Sequence, residues 1–212
     1  NEEIENALKK LGVDTVKILR NSNLSAPIAS HADLLLHHLG SNKIAAAKGE
    51  GRYIEKLVQL GFEVIVCKSD IQKNYPHDIP LDCLRMGNYL FGKEKYIDPV
   101  IFSYCEENSI EIVDVNQGYT KCSACIVNEN AVITSDSGIE KACREKGMDT
   151  LLIENGYLSL PGYGHGFIGG CTSLIDKNTL AFTGDIKFHP DGNKIMDFLH
   201  VHDVTAILLR KG

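Results

Sequence analysis

Blocks of apolar and polar residues alternate between Gly118 and Gly147, and they predict two strands followed by a helix. The apolar runs 124–127 and 131–133 are separated by the polar triplet Asn128-Glu129-Asn130. A short polar turn between such runs predicts a β-hairpin. Ser137-Gly138-Ile139-Glu140 then has the spacing of a helix capping box, and Gly147 is a typical helix stop. The following run, 149–154, is predicted to be a third strand.

The same order of strand, turn and strand recurs along the chain. Residues 172–180 align with 124–132 in the clearest match, and 36–44 and 88–97 give two further copies. The turns are predicted at Gly40-Ser41-Asn42 and at Gly92-Lys93-Glu94. Their irregular spacing favours divergent repeats over a solenoid. The alternative is that any two hairpins look alike at this level of detail.

The remaining pattern supplies helices and strands around these hairpins. The predicted helices are 2–11, 51–60, one that Asp98 caps and Pro99 opens, and one from Pro190 to about 199. The predicted single strands are 13–19, 62–67, 110–115 and 204–209, and the hairpins span 31–47, 84–97 and 167–183. A helix followed by a strand thus occurs five times, but a hairpin only four times. We expect one domain, 1–212, whose fifth hairpin would follow Gly212 and close a ring.

Composition limits the classes of function. The 212 residues carry a net charge of −6, which disfavours general binding to nucleic acid or to anionic membranes. No apolar run approaches the roughly 20 residues of a membrane span. The seven cysteines are odd in number, and several lie within apolar runs, so reduced thiols in a cytoplasmic protein are expected.

Four stretches resemble the pentein superfamily of guanidino-group-modifying enzymes, and most closely a bacterial family of uncharacterised pentein-like proteins. They are HADLLLHHLGSNKI, LRMGNYLFGKEKYIDP, VNQGYTKCSACIV and GFIGGCTSLIDKNTLAFTGDI. The resemblance implies an α/β propeller of ββαβ repeats around a central channel that holds the substrate. It also implies chemistry by a cysteine, a histidine and carboxylates that pair with a guanidinium. Hydrolases of this superfamily carry the nucleophile in the last hairpin, whereas here no cysteine follows Cys171. Other proteins of the fold, such as ribosome anti-association factors, catalyse nothing.

Aligning the predicted hairpins by their turns places Asp33, Arg85 and Lys121 at one level. On that alignment Asp33 binds a cationic group, and Arg85 and Lys121 hold a carboxylate. Asn88 completes the predicted substrate-binding set. A structural ring of salt bridges is the alternative.

Cys171 lies two positions further along and follows two glycines. With His31 or His165 as its base, Cys171 is the candidate nucleophile. A small buried thiol is the alternative for Cys171, and a turn residue is the alternative for His165.

The other motifs predict no metal site and no cofactor. Cys122 and Cys125 form a single CxxC, and their predicted strand would point them to opposite faces. His37 and His38 are likewise expected to face opposite ways, which disfavours joint metal binding. The glycine-rich segment 162–170 leads into a predicted strand. A phosphate- or dinucleotide-binding loop would lead into a helix, so such a site is not predicted. Two functions stay open: a cysteine-dependent hydrolase acting on a guanidino or amide C–N bond of a small ligand, and a non-catalytic binding or scaffold protein. The sequence does not give the oligomeric state.

Overall fold

The computed structural model describes residues 2–210. They form six helices and twelve strands of mixed α/β type. The helices are α1 (Glu2–Lys10), α2 (Gly51–Gln59), α3 (Pro99–Glu107), α4 (Thr120–Ser123), α5 (Ser137–Glu145) and α6 (Gly192–Val201). The strands are β1 (Leu36–Gly40), β2 (Lys43–Ala46), β3 (Glu63–Val66), β4 (Leu84–Met86), β5 (Tyr89–Gly92), β6 (Glu111–Asp114), β7 (Ala124–Asn128), β8 (Ala131–Thr134), β9 (Asp149–Leu152), β10 (Thr172–Asp176), β11 (Thr179–Phe182) and β12 (Thr205–Leu208).

The strands of residues 2–210 form four three-stranded sheets that share one topology. In each sheet two strands pair as an antiparallel hairpin, and a third strand pairs with the second in parallel after an intervening helix. A tight turn can join only antiparallel strands. The third strand is parallel to the second, so the chain returns through a helical crossover before it. This is the ββαβ order that the hydrophobic pattern predicts.

An asparagine ends the turn of every hairpin. The carbonyl oxygens of Asn42, Asn88, Asn130 and Asn178 each accept the N–H of the residue that opens the third strand, at 2.7–2.8 Å. The predicted turn of the second hairpin is therefore wrong. The observed turn lies at Gly87-Asn88, whereas Gly92 of the predicted turn is the last residue of β5. Gly87 has a φ of 50°, a left-handed conformation that glycine adopts easily.

Two of the hairpins, predicted at 31–47 and 167–183, begin later than predicted, and the strand expected to include Cys122 begins at Ala124. Residues 32–34 and 168–171 form 3₁₀ turns, and Thr120–Ser123 is a single helical turn. The second strand of each hairpin is only four residues long, and the ladders begin at Leu36, Ala124 and Thr172. The Leu35 and Cys171 carbonyls each accept one further N–H from across the hairpin, and the preceding backbone bonds locally, as when the Leu35 N–H donates to the Ala32 carbonyl.

Three smaller predictions also need correction. Residues 13–19 form no strand, because no described residue pairs with them as a ladder. The last helix begins at Gly192 and not at Pro190. Asp136, and not Ser137, caps α5 by accepting the N–H groups of Gly138 and Ile139. The pairing of 13–19 with whatever follows Gly212 stays a prediction.

The chain divides into two compact units. The first unit is Val16–Lys121, and the second combines the segment up to Thr15 with the chain from Cys122 onward. Each contains two of the sheets. In the first unit Asp98 accepts the N–H groups of Lys68 and Ser69, just after β3. In the second, Asp191 accepts the Glu154 N–H, just after β9. Each carboxylate thus joins the start of a helix to the end of an earlier strand.

The single domain, the repeats and the closed propeller around a channel stay predictions. Among residues 2–210, no helix has the length and apolar character needed to cross a membrane.

Candidate functional site

Asp33 and Lys121 form an ion pair in the first unit. The Lys121 Nζ lies 3.9 Å from the Asp33 Oδ1, and the two side chains are 27% and 29% exposed. Asp33 sits in the 3₁₀ turn before β1, and Lys121 in α4. Both residues therefore reach this place from short helical turns and not from strands. The alignment by hairpin turns that grouped them took both as strand residues, and that placement was wrong.

Two aspartates that sequence reasoning missed lie beside this pair. Asp78 and Asp82 are 2% and 1% exposed. The Tyr119 hydroxyl donates to the Asp78 Oδ2 at 2.6 Å, and the Lys121 N–H donates to the Asp82 Oδ1 at 2.7 Å. The three carboxylates of Asp33, Asp78 and Asp82 thus all contact the segment 119–121. The sequence offered one signal for these two residues. Both aspartates lie in or just after the loop between Pro76 and Pro80, next to apolar residues.

Burial sets the chemistry of Asp78. Removal from water raises the pKa of its carboxyl, and the hydrogen bonds from Tyr119 and from its own N–H oppose that rise, as does the charge of His77. No other described residue donates a hydrogen bond to its Oδ1, which is itself buried. A buried carboxylate oxygen to which no other residue donates is costly in free energy.

Gly118 keeps the segment 119–121 close to the loop that carries Asp78. A Cβ at position 118 would lie 2.5 Å from the Ile79 Cδ1 and 2.6 Å from the Tyr75 Cε2. Any larger residue would therefore displace the Tyr75 ring and the Ile79 side chain.

His37 and Arg85 are two further basic side chains of this unit with buried nitrogen atoms. His37 is 5% exposed, and its Nε2 is buried without a hydrogen-bond partner in the described chain. Burial lowers its pKa to about 4, helped by the charges of His38, Arg85 and Lys121 and opposed by a hydrogen bond with the Leu81 backbone. His37 is therefore neutral at neutral pH. His38, its neighbour, is exposed, so the two rings face opposite ways as predicted.

Arg85 does not occupy the repeat position that the alignment gave it. It pairs with Leu90 in the hairpin, and its counterparts in the other sheets are His38, Ile126 and Leu174. Its Nη1 lies 3.5 Å from the Tyr89 carbonyl, and its Nε is buried without a partner among residues 2–210. The positive charges of Arg85 and Lys121 both lower the pKa of His37.

Two other predicted site residues of the first unit have different surroundings. His31 precedes the 3₁₀ turn of Asp33, and burial lowers its pKa against the attraction of the Asp33 carboxylate. Asn88 is an exposed residue of the hairpin turn, equivalent to Asn42, Asn130 and Asn178. That structural role accounts for Asn88 without a ligand.

Cys171 and His165 belong to the second unit. The Cys171 thiol donates to the carbonyl oxygens of Phe167 and Ile168, at 3.3 and 3.4 Å. Burial raises its pKa to about 12, and Cys125 adds to the rise. The His165 ring lies 3.3 Å from the Asn155 amide and 3.1 Å from the Gly166 carbonyl. Both nitrogens of that ring are therefore engaged away from Cys171.

No metal centre emerges from the described residues. Across 2–210, no three His, Cys, Asp or Glu side chains are grouped to hold an ion. Cys122 lies in α4 and Cys125 in β7, so the CxxC spans a helix-to-strand junction and not one strand.

The comparisons with known proteins agree on the fold. DDAH from Pseudomonas aeruginosa, a cysteine-to-serine mutant with citrulline, has a TM-score of 0.62 and 10% identity, over 98% of this chain and 79% of that one. A saxitoxin-pathway amidinotransferase from Microseira wollei has a TM-score of 0.60 and 11% identity, over 98% and 73%. The inosamine-phosphate amidinotransferase of Streptomyces griseus has a TM-score of 0.58 and 10% identity, over 99% and 74%.

These structural neighbours are guanidino-group-modifying enzymes, and at this level of identity they show the fold alone. The resemblance to the pentein superfamily is thereby confirmed for the fold. No curated protein matches the chain significantly. A family model described as a family of unknown function, DUF6873, matches residues 1–212. The chain therefore belongs to the DUF6873 family and has the fold of the penteins.

Proposed function

We propose that the protein binds a small ligand with a guanidinium or ammonium group and a carboxylate, such as an amino acid with a basic side chain. The observation that carries the proposal is the buried Oδ1 of Asp78, to which no other described residue donates a hydrogen bond. A cationic ligand would supply the missing donor and would offset the cost of the buried charge.

The neighbouring charges suit a ligand with two poles. Asp33 and Asp82 add acceptors beside Asp78, and a guanidinium presents several donors in a planar fork. Arg85 has a buried Nε without a partner among residues 2–210, so it can meet a carboxylate. Lys121 already contacts Asp33 and is the second cation of this region.

The chemistry of Cys171 favours the non-catalytic alternative over an amidinohydrolase or deiminase. A nucleophilic cysteine needs its thiolate, and burial raises the pKa of Cys171 to about 12. Its proton is directed to two backbone carbonyls, and His165 bonds elsewhere. Binding without turnover is therefore the function we propose.

Calorimetric titration with L-arginine and with citrulline tests the proposal. Citrulline has nearly the same shape as arginine, but its ureido group is neutral. We expect arginine to bind and citrulline to bind at least about tenfold more weakly, because the buried carboxylate has no charge to pair with.

The matched variants are Asp78→Asn and Asp70→Asn. Asparagine can still accept the Tyr119 hydroxyl, so Asp78→Asn should fold and lose arginine affinity. The Asp70 side chain is 78% exposed and pairs with Lys48, so its variant should bind like the wild type. The absence of arginine binding, or equal binding by wild type and Asp78→Asn, would refute the proposed site.

A further inference from the structure

A second cleft lies entirely within the second unit. It has a volume of about 310 Å³ and opens between the segment 157–159, the segment 182–189 and helix α6. Its floor is the buried core of that unit, with Ile168, Phe182 and Ile195 exposed by no more than 4%. Two aromatic side chains of its lining stand out into solvent, because Tyr157 is 57% and Phe188 69% exposed.

The lining presents no uncompensated charge. The Asp185 carboxylate is 2.7 Å from the Lys187 Nζ, so that charge is already paired. The His189 ring accepts the Asp191 N–H through Nδ1, and its Nε2 lies 3.2 Å from the Glu154 carbonyl oxygen. The tautomer of His189 with a proton on Nε2 satisfies both contacts. A charged ligand would therefore lose its hydration in this cleft without gaining an opposite charge.

Few hydrogen-bonding groups of the lining are available. The Cys171 thiol donates to Phe167 and Ile168, and the Thr183 hydroxyl lies 3.3 Å from the Cys171 carbonyl. Tyr157 and Ser159 line the cleft, and their hydroxyls make no hydrogen bond within residues 2–210. An occupant can thus be held by apolar contact along most of its surface and by hydrogen bonds at one end.

We propose that this cleft is a binding site for a small neutral aromatic molecule with one hydrogen-bonding group, of the size of an indole or a phenol. The volume matches small-ligand pockets, which lie at roughly 300 Å³ and above and are mostly apolar with a few placed polar groups. The rings of Tyr157, Phe182 and Phe188 offer faces and edges for an aromatic partner. This site is independent of the Asp78 region.

The test uses indole as the probe. Because the chain contains no tryptophan, the fluorescence of added indole can be measured without tryptophan emission from the protein. Titrating the protein into indole should give a saturable shift of its emission. Zwitterionic tryptophan, which adds two charges to the same ring, should bind at least about tenfold more weakly. Equal binding of tryptophan and indole, or no saturable signal with indole, would overturn the proposal.

Gly184 offers a variant that fills the cleft. It lines the cleft, and a Cβ there would meet no atom within 4 Å. Gly184→Leu should weaken indole binding at least about tenfold. Gly164→Leu is the matched control, because Gly164 also has open space around its Cβ but lies outside the lining. Equal affinity of Gly184→Leu and the wild type would also overturn the proposal.

Phe188→Ala keeps the test decisive if Gly184→Leu fails to fold, because so exposed a side chain adds little to stability. It should weaken indole binding about threefold or more through the lost ring contact. Sedimentation velocity on the same samples covers a different occupant. If the wild type self-associates and Phe188→Ala is a monomer, the cleft holds a second copy of the chain, and the proposal is wrong.

Discussion

Two buried titratable side chains of the first unit, Asp78 and His37, respond in opposite directions to the same loss of water. Burial disfavours the charged form in both cases, so it raises the pKa of Asp78 and lowers that of His37. Asp78 gains a proton more easily and His37 loses one more easily than in the unfolded chain. The two side chains therefore shift the pH dependence of stability in opposite directions.

The variant His37→Gln isolates the contribution of His37 to the pH dependence of stability. The folded pKa of His37 is about 4, against 6.5 for a free histidine, so the unfolded chain binds more protons between those values. The free energy of unfolding of the wild type should therefore fall as the pH is lowered through this window, by up to about 3 kcal/mol from this residue alone. His37→Gln should remove that part of the slope.

Chemical denaturation at a series of pH values measures the slope. The variant His200→Gln is the control, because that side chain is exposed at the end of α6. A slope unchanged by His37→Gln would show that the imidazole is hydrated or already charged in the folded protein.

Cys171 gives a second prediction at the level of one residue. Because burial raises its pKa to about 12, almost no thiolate is present near neutral pH. Iodoacetamide should therefore leave Cys171 unmodified in the folded protein, and all seven cysteines should react after denaturation. Peptide mass spectrometry measures the extent of alkylation at each cysteine. Rapid alkylation of Cys171 below pH 8 would instead support the nucleophile.

At the scale of elements, the hydrophobic pattern predicted most of the strands and helices, but not the short helical turns before the hairpins or the register of every hairpin. The second hairpin offers two glycine-containing turns, Gly87-Asn88 and Gly92-Lys93-Glu94, and the sequence does not rank them. The pairing of Met86 with Tyr89 selects the first. That shift moved Arg85 out of its predicted level. Asp78 and Asp82 were missed because only tertiary packing brings their loop to Tyr119 and Lys121.

Asp98 joins two secondary-structure elements, so its replacement should lower the free energy of unfolding strongly. It is fully buried, caps α3 through the Val100 N–H, and accepts two further N–H groups from Lys68 and Ser69. Asp98→Ala leaves those two donors without a partner and removes the cap, so we expect a loss of about 3 kcal/mol or more in the free energy of unfolding.

Asp136→Ala provides the comparison. Asp136 caps α5 through Gly138 and Ile139, the first of which is exposed, so a loss of about 1 kcal/mol is expected. Denaturant titration of both variants gives the two values. Equal losses would mean that the bonds from Asp98 to Lys68 and Ser69 add nothing to stability.

At the scale of the whole molecule, the pentein fold is shared with guanidino-group-modifying enzymes, but a fold does not determine an activity. The features that favour recognition lie in the first unit, in the carboxylates of Asp33, Asp78 and Asp82. The thiol that sequence reasoning chose as nucleophile lies in the second unit, where its proton is directed to backbone carbonyls. The net charge of −6 also agrees with attraction of a cationic ligand.

Binding without turnover is the prediction that follows for the intact protein. Incubation with arginine, dimethylarginine or agmatine should release no citrulline or ureido product above the level seen with Cys171→Ser. The physical reason is that the Cys171 thiol donates to two backbone carbonyls and that burial raises its pKa to about 12. Mass spectrometry of the small molecules measures the yield, and calorimetry on the same sample shows that the protein still binds. Product formation by the wild type that Cys171→Ser abolishes would establish a cysteine-dependent hydrolase, and the binding function would then be its first step.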